Sequence, residues 1–80
     1  MGSKNFKHKV VVVDFWTIRR SRMRLYTTNG RYYKIPVTTR TSAFKNCLEI
    51  FKYGSHIKLC LQGSYIFKIN GIPLDDIQIT

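Results

Sequence analysis

Asn29-Gly30 stands between two runs of alternating apolar and polar residues, Met23 to Thr28 and Arg31 to Val37, and so commits this part of the chain to a β-hairpin. The alternation also sets the register, because a slip of one residue turns every side chain to the opposite face. A loop of Asn29-Gly30 alone would put Leu25 opposite Lys34 and scatter the apolar set over both faces. A loop of Thr28-Asn29-Gly30, with the glycine left-handed, instead pairs Met23 with Ile35 and Leu25 with Tyr33. The other face then carries Arg24 opposite Lys34 and Tyr26 opposite Tyr32.

The remaining elements follow from pattern and punctuation. His8 to Ile18 is rich in β-branched and aromatic residues and reads as one long, largely buried strand. Phe44, Cys47, Leu48 and Phe51 share the spacing of one helical stripe, with Thr41 or Ser42 placed as N-cap and Gly54 as the terminating residue. His56 to Gln62 alternates, Gly63-Ser64 turns, and Tyr65 to Ile69 continues as a strand. Asn70-Gly71 turns again, Pro73 marks an edge or a bulge, and residues 75–79 are expected to form a short turn and a closing strand.

Three strands, a helix and two or three further strands describe a mainly β chain: a small barrel of five to six strands, with one helix between strands 3 and 4. That order of elements resembles the oligonucleotide-binding (OB) barrel. The alternative is an SH3-like barrel, in which Ile72 to Ile79 supplies a helical turn and a last strand. A chain of 80 residues has room for one core. Residues 8–80 are therefore taken as a single domain and residues 1–7 as a flexible tail.

Charge narrows the choice of partner. Fourteen Lys and Arg oppose four acids, Asp14, Glu49, Asp75 and Asp76, a formal net charge of +10. A free domain so charged repels itself, and a polyanionic partner relieves that repulsion. Nucleic acid, an anionic membrane surface and an acidic protein all fit. The longest aliphatic run, Val10 to Val13, is far below the roughly 20 residues of a membrane-spanning helix, so insertion is not expected. The first residues hold no apolar stretch of signal-peptide length, and Phe6 stands where a myristoylation motif beginning at Gly2 requires Ser or Thr. A cytoplasmic location is the resulting expectation.

Catalytic chemistry finds few candidates. Cys47 and Cys60 lack the spacing of a zinc or redox motif and read as free thiols. His8 and His56 have no metal-ligand spacing, and the adjacent acids Asp75 and Asp76 point opposite ways if they lie on a strand. The chain is therefore read as a non-enzyme with no cofactor and no metal. The strongest constellation is the hairpin face with Arg24, Tyr26, Tyr32 and Lys34, flanked by Arg31 and by Arg19, Arg20 and Arg22 at the preceding turn. Arg24 opposite Lys34 is unfavourable in isolation, and a bound phosphate backbone would relieve it. The tyrosines offer flat surfaces for unpaired bases, and arginine forks grip phosphates.

Two weaker features accompany this face. Arg40 just before the helix and Lys45 and Lys52 away from its apolar stripe are weighed, with the helix N-terminus, as a further anion site, and Trp16, on the same alternation as Asp14, reads as core or as a stacking platform. The leading reading is a nucleic-acid-binding module that prefers single-stranded DNA or RNA to duplex. The second is a protein-interaction module or inhibitor docking on an acidic surface of a larger nucleic-acid-handling protein, a description that small basic proteins of mobile elements would suit. A homodimer by edge pairing at Tyr65 to Ile69 or the Pro73 segment is also open.

Overall fold

The computed structural model describes residues 5–79; the Gly2 position of the myristoylation motif lies outside them. The elements are β1 (Lys7–Arg19), β2 (Arg22–Thr27), β3 (Tyr32–Ile35), α1 (Thr41–Ile50), β4 (His56–Gln62), β5 (Tyr65–Ile69) and β6 (Ile72–Pro73), then a 3₁₀ turn over Leu74–Asp76. β1 pairs with β2, β2 with β3, β3 with β5, β5 with β4, and β4 with β1, so five strands close into a barrel with α1 between the third and fourth. All these pairings are antiparallel except β3–β5, which runs parallel through Lys34 and Tyr65, where the Lys34 amide donates to the Ser64 carbonyl at 2.7 Å.

The β2–β3 hairpin has the register that alternation requires: Met23 opposite Ile35, Arg24 opposite Lys34, Leu25 opposite Tyr33 and Tyr26 opposite Tyr32. Gly30 lies at φ +84°, and the Asn29 side-chain oxygen accepts from the Arg31 amide at 3.2 Å, which holds the loop in shape.

β1 serves two partners. Lys7 to Val12 pair with β4, whereas Val13 to Arg19 pair with β2. At the changeover Val13 faces Thr27 but Phe15 faces Tyr26, leaving Asp14 as the extra residue of a bulge. The bulge resets the alternation: Val11 and Val13 point inward, and after Asp14 it is Trp16, opposite buried Leu25, that joins the core. Asp14 and Trp16 are therefore not on one continuous alternation. Phe67 forms a second bulge, since Leu61 faces Ile66 while Cys60 faces Lys68. It lets Ile66 and Ile69, three positions apart, both reach the interior, where neither is exposed.

Core residues from every barrel strand meet Phe44, Cys47 and Phe51 of the helix and Leu74 and Ile77 of the C-terminal segment. Trp16 locks this junction: its indole N–H donates to the Phe51 carbonyl at 2.8 Å, and its ring meets Phe44 edge-on at 5.8 Å. Its role is thus packing.

Several local expectations are corrected. The helix N-cap is Arg40, not Thr41 or Ser42, and no side chain caps it in the usual way. Instead the Asp75 carboxylate accepts from the Arg40 amide at 3.0 Å, which brings a negative charge to the positive end of the helix. The helix stops at Ile50, so Gly54, at φ +88°, serves the following turn rather than the cap. Leu48 is exposed and Ala43 takes its place in the buried stripe, because contact with the barrel shifts the stripe toward the N-terminus. Residues 77–79 form no strand; Asn46 instead donates to the Ile77 carbonyl at 2.9 Å, so the segment is tied to the helix. The last strand of the SH3-like alternative is thus missing among the described residues. β5 is no free edge, since β3, β4 and β6 all pair with it.

Both cysteines are free and buried. Burial raises the Cys47 thiol from 9.0 to about 11. The folded state then keeps a proton that the unfolded chain releases, so this contribution to stability is present below pH 9 and is lost as pH approaches 11. The stability advantage of the wild type over Cys47→Ala should therefore narrow across that interval in urea melts. Tyr33 carries the one buried side-chain polar atom among the described residues that lacks a partner, its hydroxyl. Removing an unpaired buried hydroxyl relieves its desolvation, so Tyr33→Phe should gain about 1 kcal/mol in chemical denaturation; a loss would mean the hydroxyl is satisfied in solution.

Candidate nucleic-acid interface

On the outside of β1, β2, β3 and β5 the strand registers bring aromatic and cationic side chains into ordered rows. One row crosses three strands as Phe15, Tyr26 and Tyr32. The next crosses four as Thr17, Arg24, Lys34 and Tyr65. Beyond them Arg19 faces Arg22 at the end of the β1–β2 hairpin.

The aromatic row is packed against itself. Phe15 stacks on Tyr26 with ring centres 4.6 Å apart and planes 11° from parallel, and Tyr26 meets Tyr32 at 5.5 Å with a 36° tilt. Tyr26 is therefore the middle of the row, flanked on both sides, and not a free platform. The surfaces open to a further ring belong to Phe15 and Tyr32, 47% and 44% exposed, and to Tyr65, 43% exposed in the next row.

The opposition of Arg24 and Lys34 is relieved within the protein itself. The Arg24 guanidinium lies 4.8 Å from the centre of the Tyr32 ring and makes a long hydrogen bond, 3.4 Å, to the Tyr26 hydroxyl, which raises its pKa further. Lys34 Nζ turns the other way, 5.6 Å from the centre of Tyr65. Each cation rests on the negative face of a tyrosine, so no bound phosphate is needed to bring the two together. Neither cation forms an ion pair among the described residues.

Two grooves flank this ridge. The first, about 650 Å³, is lined by Trp16, Thr17, Ile18, Arg19, Arg22, Arg24 and Tyr26. The second, about 360 Å³, includes Arg22, Arg24, Lys34 and Tyr65. Arg22 and Arg24 line both, and Tyr65 lines the second. Beside the open rings of Phe15 and Tyr32, the guanidinium groups offer contacts for phosphates and the rings offer surfaces for bases.

Seven of the eight residues singled out from sequence bear on this face. Arg19, Arg22, Arg24, Tyr26, Tyr32 and Lys34 lie on it directly, and Arg20 is exposed at the hairpin tip. Arg31 departs, lying across from buried Thr27 on the alternation of Tyr33 rather than of Tyr32. The helix site does not form as expected: Arg40 is engaged by Asp75, through a 3.8 Å ion pair and a 3.2 Å bond from its guanidinium to the Asp75 carbonyl. Two residues escaped the sequence reading. Phe15 had a signal in the shift of apolar parity around Asp14; Tyr65 reaches the site only because β5 closes against β3.

The hairpin tip stores strain. Arg20 and Ser21 both take positive φ, 57° and 81°, a turn that Asn-Gly would adopt with less cost. Replacing them as Arg20→Asn/Ser21→Gly should raise stability by about 1 kcal/mol in thermal or urea unfolding.

No family model, curated protein or solved structure matches this chain.

Proposed function

We propose that the protein is a nucleic-acid-binding module that holds single-stranded DNA or RNA across the outside of β1, β2, β3 and β5 by phosphate contacts and ring stacking. The observation that carries this reading is the continuous pair of rows, Phe15–Tyr26–Tyr32 beside Thr17–Arg24–Lys34–Tyr65, bordered by Arg19 and Arg22. The closure order β1-β2-β3-β5-β4 and the placement of the helix favour the OB type over the SH3-like one. In OB barrels the face of strands 2 and 3 is the usual oligonucleotide surface. Single strands are preferred because exposed rings stack on unpaired bases, whereas α1 is tied by Arg40 and Asn46 to the C-terminal segment and is not presented as a groove reader.

The test is fluorescence anisotropy with labelled single-stranded DNA, RNA and duplex DNA over a salt series. Single strands should bind best. Phe15→Ala/Tyr32→Ala should weaken binding by about 2 kcal/mol or more, since base stacking contributes roughly 1 to 3 kcal/mol per base. Arg19→Ala/Arg22→Ala should lower the slope of log K against log salt by about 1.4, at roughly 0.7 per phosphate contact on a single strand. Equal binding of all polymers with no effect of either double variant would overturn the reading.

The exposure of Ile18 and Val37, at 55% and 74%, beside the arginine grooves favours a second reading, docking on an acidic protein surface with apolar patches. That association would survive moderate salt, unlike nucleic-acid binding.

A further inference from the structure

The lysines of β4 and β5 take no part in the face just described. The outside of β1, β4 and β5 carries its own rows. His8 faces Cys60, Cys60 faces Lys68 and Lys68 faces Pro73 across four strands, and beside them Val10 faces Lys58. The Lys58 amide donates to the Asn70 side-chain oxygen at 2.9 Å, and the Asn70 amide returns a bond to the Lys58 carbonyl at 2.8 Å. This clasp fixes Lys58 beside the β5–β6 turn. His8, Lys58, Cys60, Lys68, Asn70 and Gly71 then line a groove of about 380 Å³.

Three features make this groove an anion-binding surface. Lys58 and Lys68 are exposed, and the one ion pair among the described residues, Arg40 with Asp75, lies elsewhere. The rows contain no acid: Asp14 is at the β1 bulge, Glu49 on α1, and Asp75 and Asp76 on the 3₁₀ turn. An aromatic pair adjoins the rows, Phe6 just before β1 with Phe67 of β5 at 5.5 Å, Phe6 being 41% exposed. The groove thus presents lysines where the hairpin face presents arginines, with the phenylalanine pair outside its lining.

Its position gives it a purpose of its own. Around the barrel the strands run β1, β2, β3, β5, β4, so the outside of β4 and β5 lies across the core from the outside of β2. The lysines of β4 and β5 are thus separated by the core from the arginines of β2.

We propose that the His8–Lys58–Lys68 groove is a second single-stranded nucleic-acid site, so that one chain holds two strand segments on opposite sides of its barrel and bridges them. This rests on the reading of the arginine face given above. Lysine ammonium groups bind phosphate as point charges without the geometric demand of a guanidinium fork, so the second site is the weaker and less selective of the two. The consequence is a bridging activity: holding two oligonucleotides together, or folding one long strand around the barrel.

The experiment uses two oligothymidylates of about 8 nucleotides, within the span of one barrel face, one labelled with a donor and one with an acceptor fluorophore. Wild-type protein should bring them together and produce energy transfer, and titration above the dissociation constant should saturate at two oligonucleotides per chain. Lys58→Ala/Lys68→Ala should abolish the transfer and reduce the stoichiometry to one, while the anisotropy-measured affinity of the first oligonucleotide changes less than about twofold. Lys58→Arg/Lys68→Arg should retain both, which separates loss of charge from loss of fold. Saturation at one oligonucleotide by the wild type, or energy transfer that persists in Lys58→Ala/Lys68→Ala, would overturn the second site. If the wild type saturates at one and Arg19→Ala/Arg22→Ala removes that binding, the arginine-face reading stands alone. If no oligonucleotide binds, both fail.

Discussion

The bulge at Asp14 is the constraint on which the rest of the structure depends. A barrel of five strands needs one strand to coil enough to pair with neighbours at both of its ends, and an extra residue supplies the bend and the added twist. In β1 that residue marks the point where pairing passes from β4 to β2. It also inverts the side-chain alternation. Without it, Phe15 would follow Val11 and Val13 into the core and Trp16 would point to solvent. With it, Trp16 reaches Phe44 and the Phe51 carbonyl, and Phe15 is left outside to extend the tyrosine row. One inserted residue thus builds both the helix–barrel junction and the edge of the candidate site.

Electrostatics then shapes each element differently. At the helix, Asp75 is drawn to the N-terminus and to Arg40, so the C-terminal segment is held down by the same charge that supports the helix. On the hairpin no ion pair forms among the described residues, and tyrosine rings carry the cations instead. A tyrosine partner lets the cations crowd together without cancelling their charge, which an aspartate would do. The result is a surface that is locally settled and still attractive to phosphate at long range.

The hairpin register was legible because two requirements agreed: one face had to be wholly apolar, and Asn29-Gly30 had to sit in a turn that tolerates positive φ. The boundaries of β4 and β5 were legible for the same reason. The helix ends were not. Thr41 and Ser42 are good caps by residue type, but a carboxylate 35 positions along the chain bonds the Arg40 amide instead. Sequence-local propensity is blind to such a competitor. Leu48 was misplaced because helical spacing defines a stripe only to within a neighbouring residue, and contact with the barrel selects which side of it is buried.

The sequence by itself determined the class of the fold, the pairing of β2 with β3, the excess of positive charge and the cations and tyrosines that share the hairpin face, because alternation and turn chemistry act between near neighbours. Only the tertiary structure decided the rest. Parallel closure of β3 on β5 brought Tyr65 to Lys34, and the Asp14 bulge turned Phe15 outward. The ring of strands divided the arginines of the hairpin from the lysines of β4 and β5 on opposite sides of one core. These depend on contacts between residues far apart in the chain, where the cost of closing the loop is met by burial of the whole core and by no local signal.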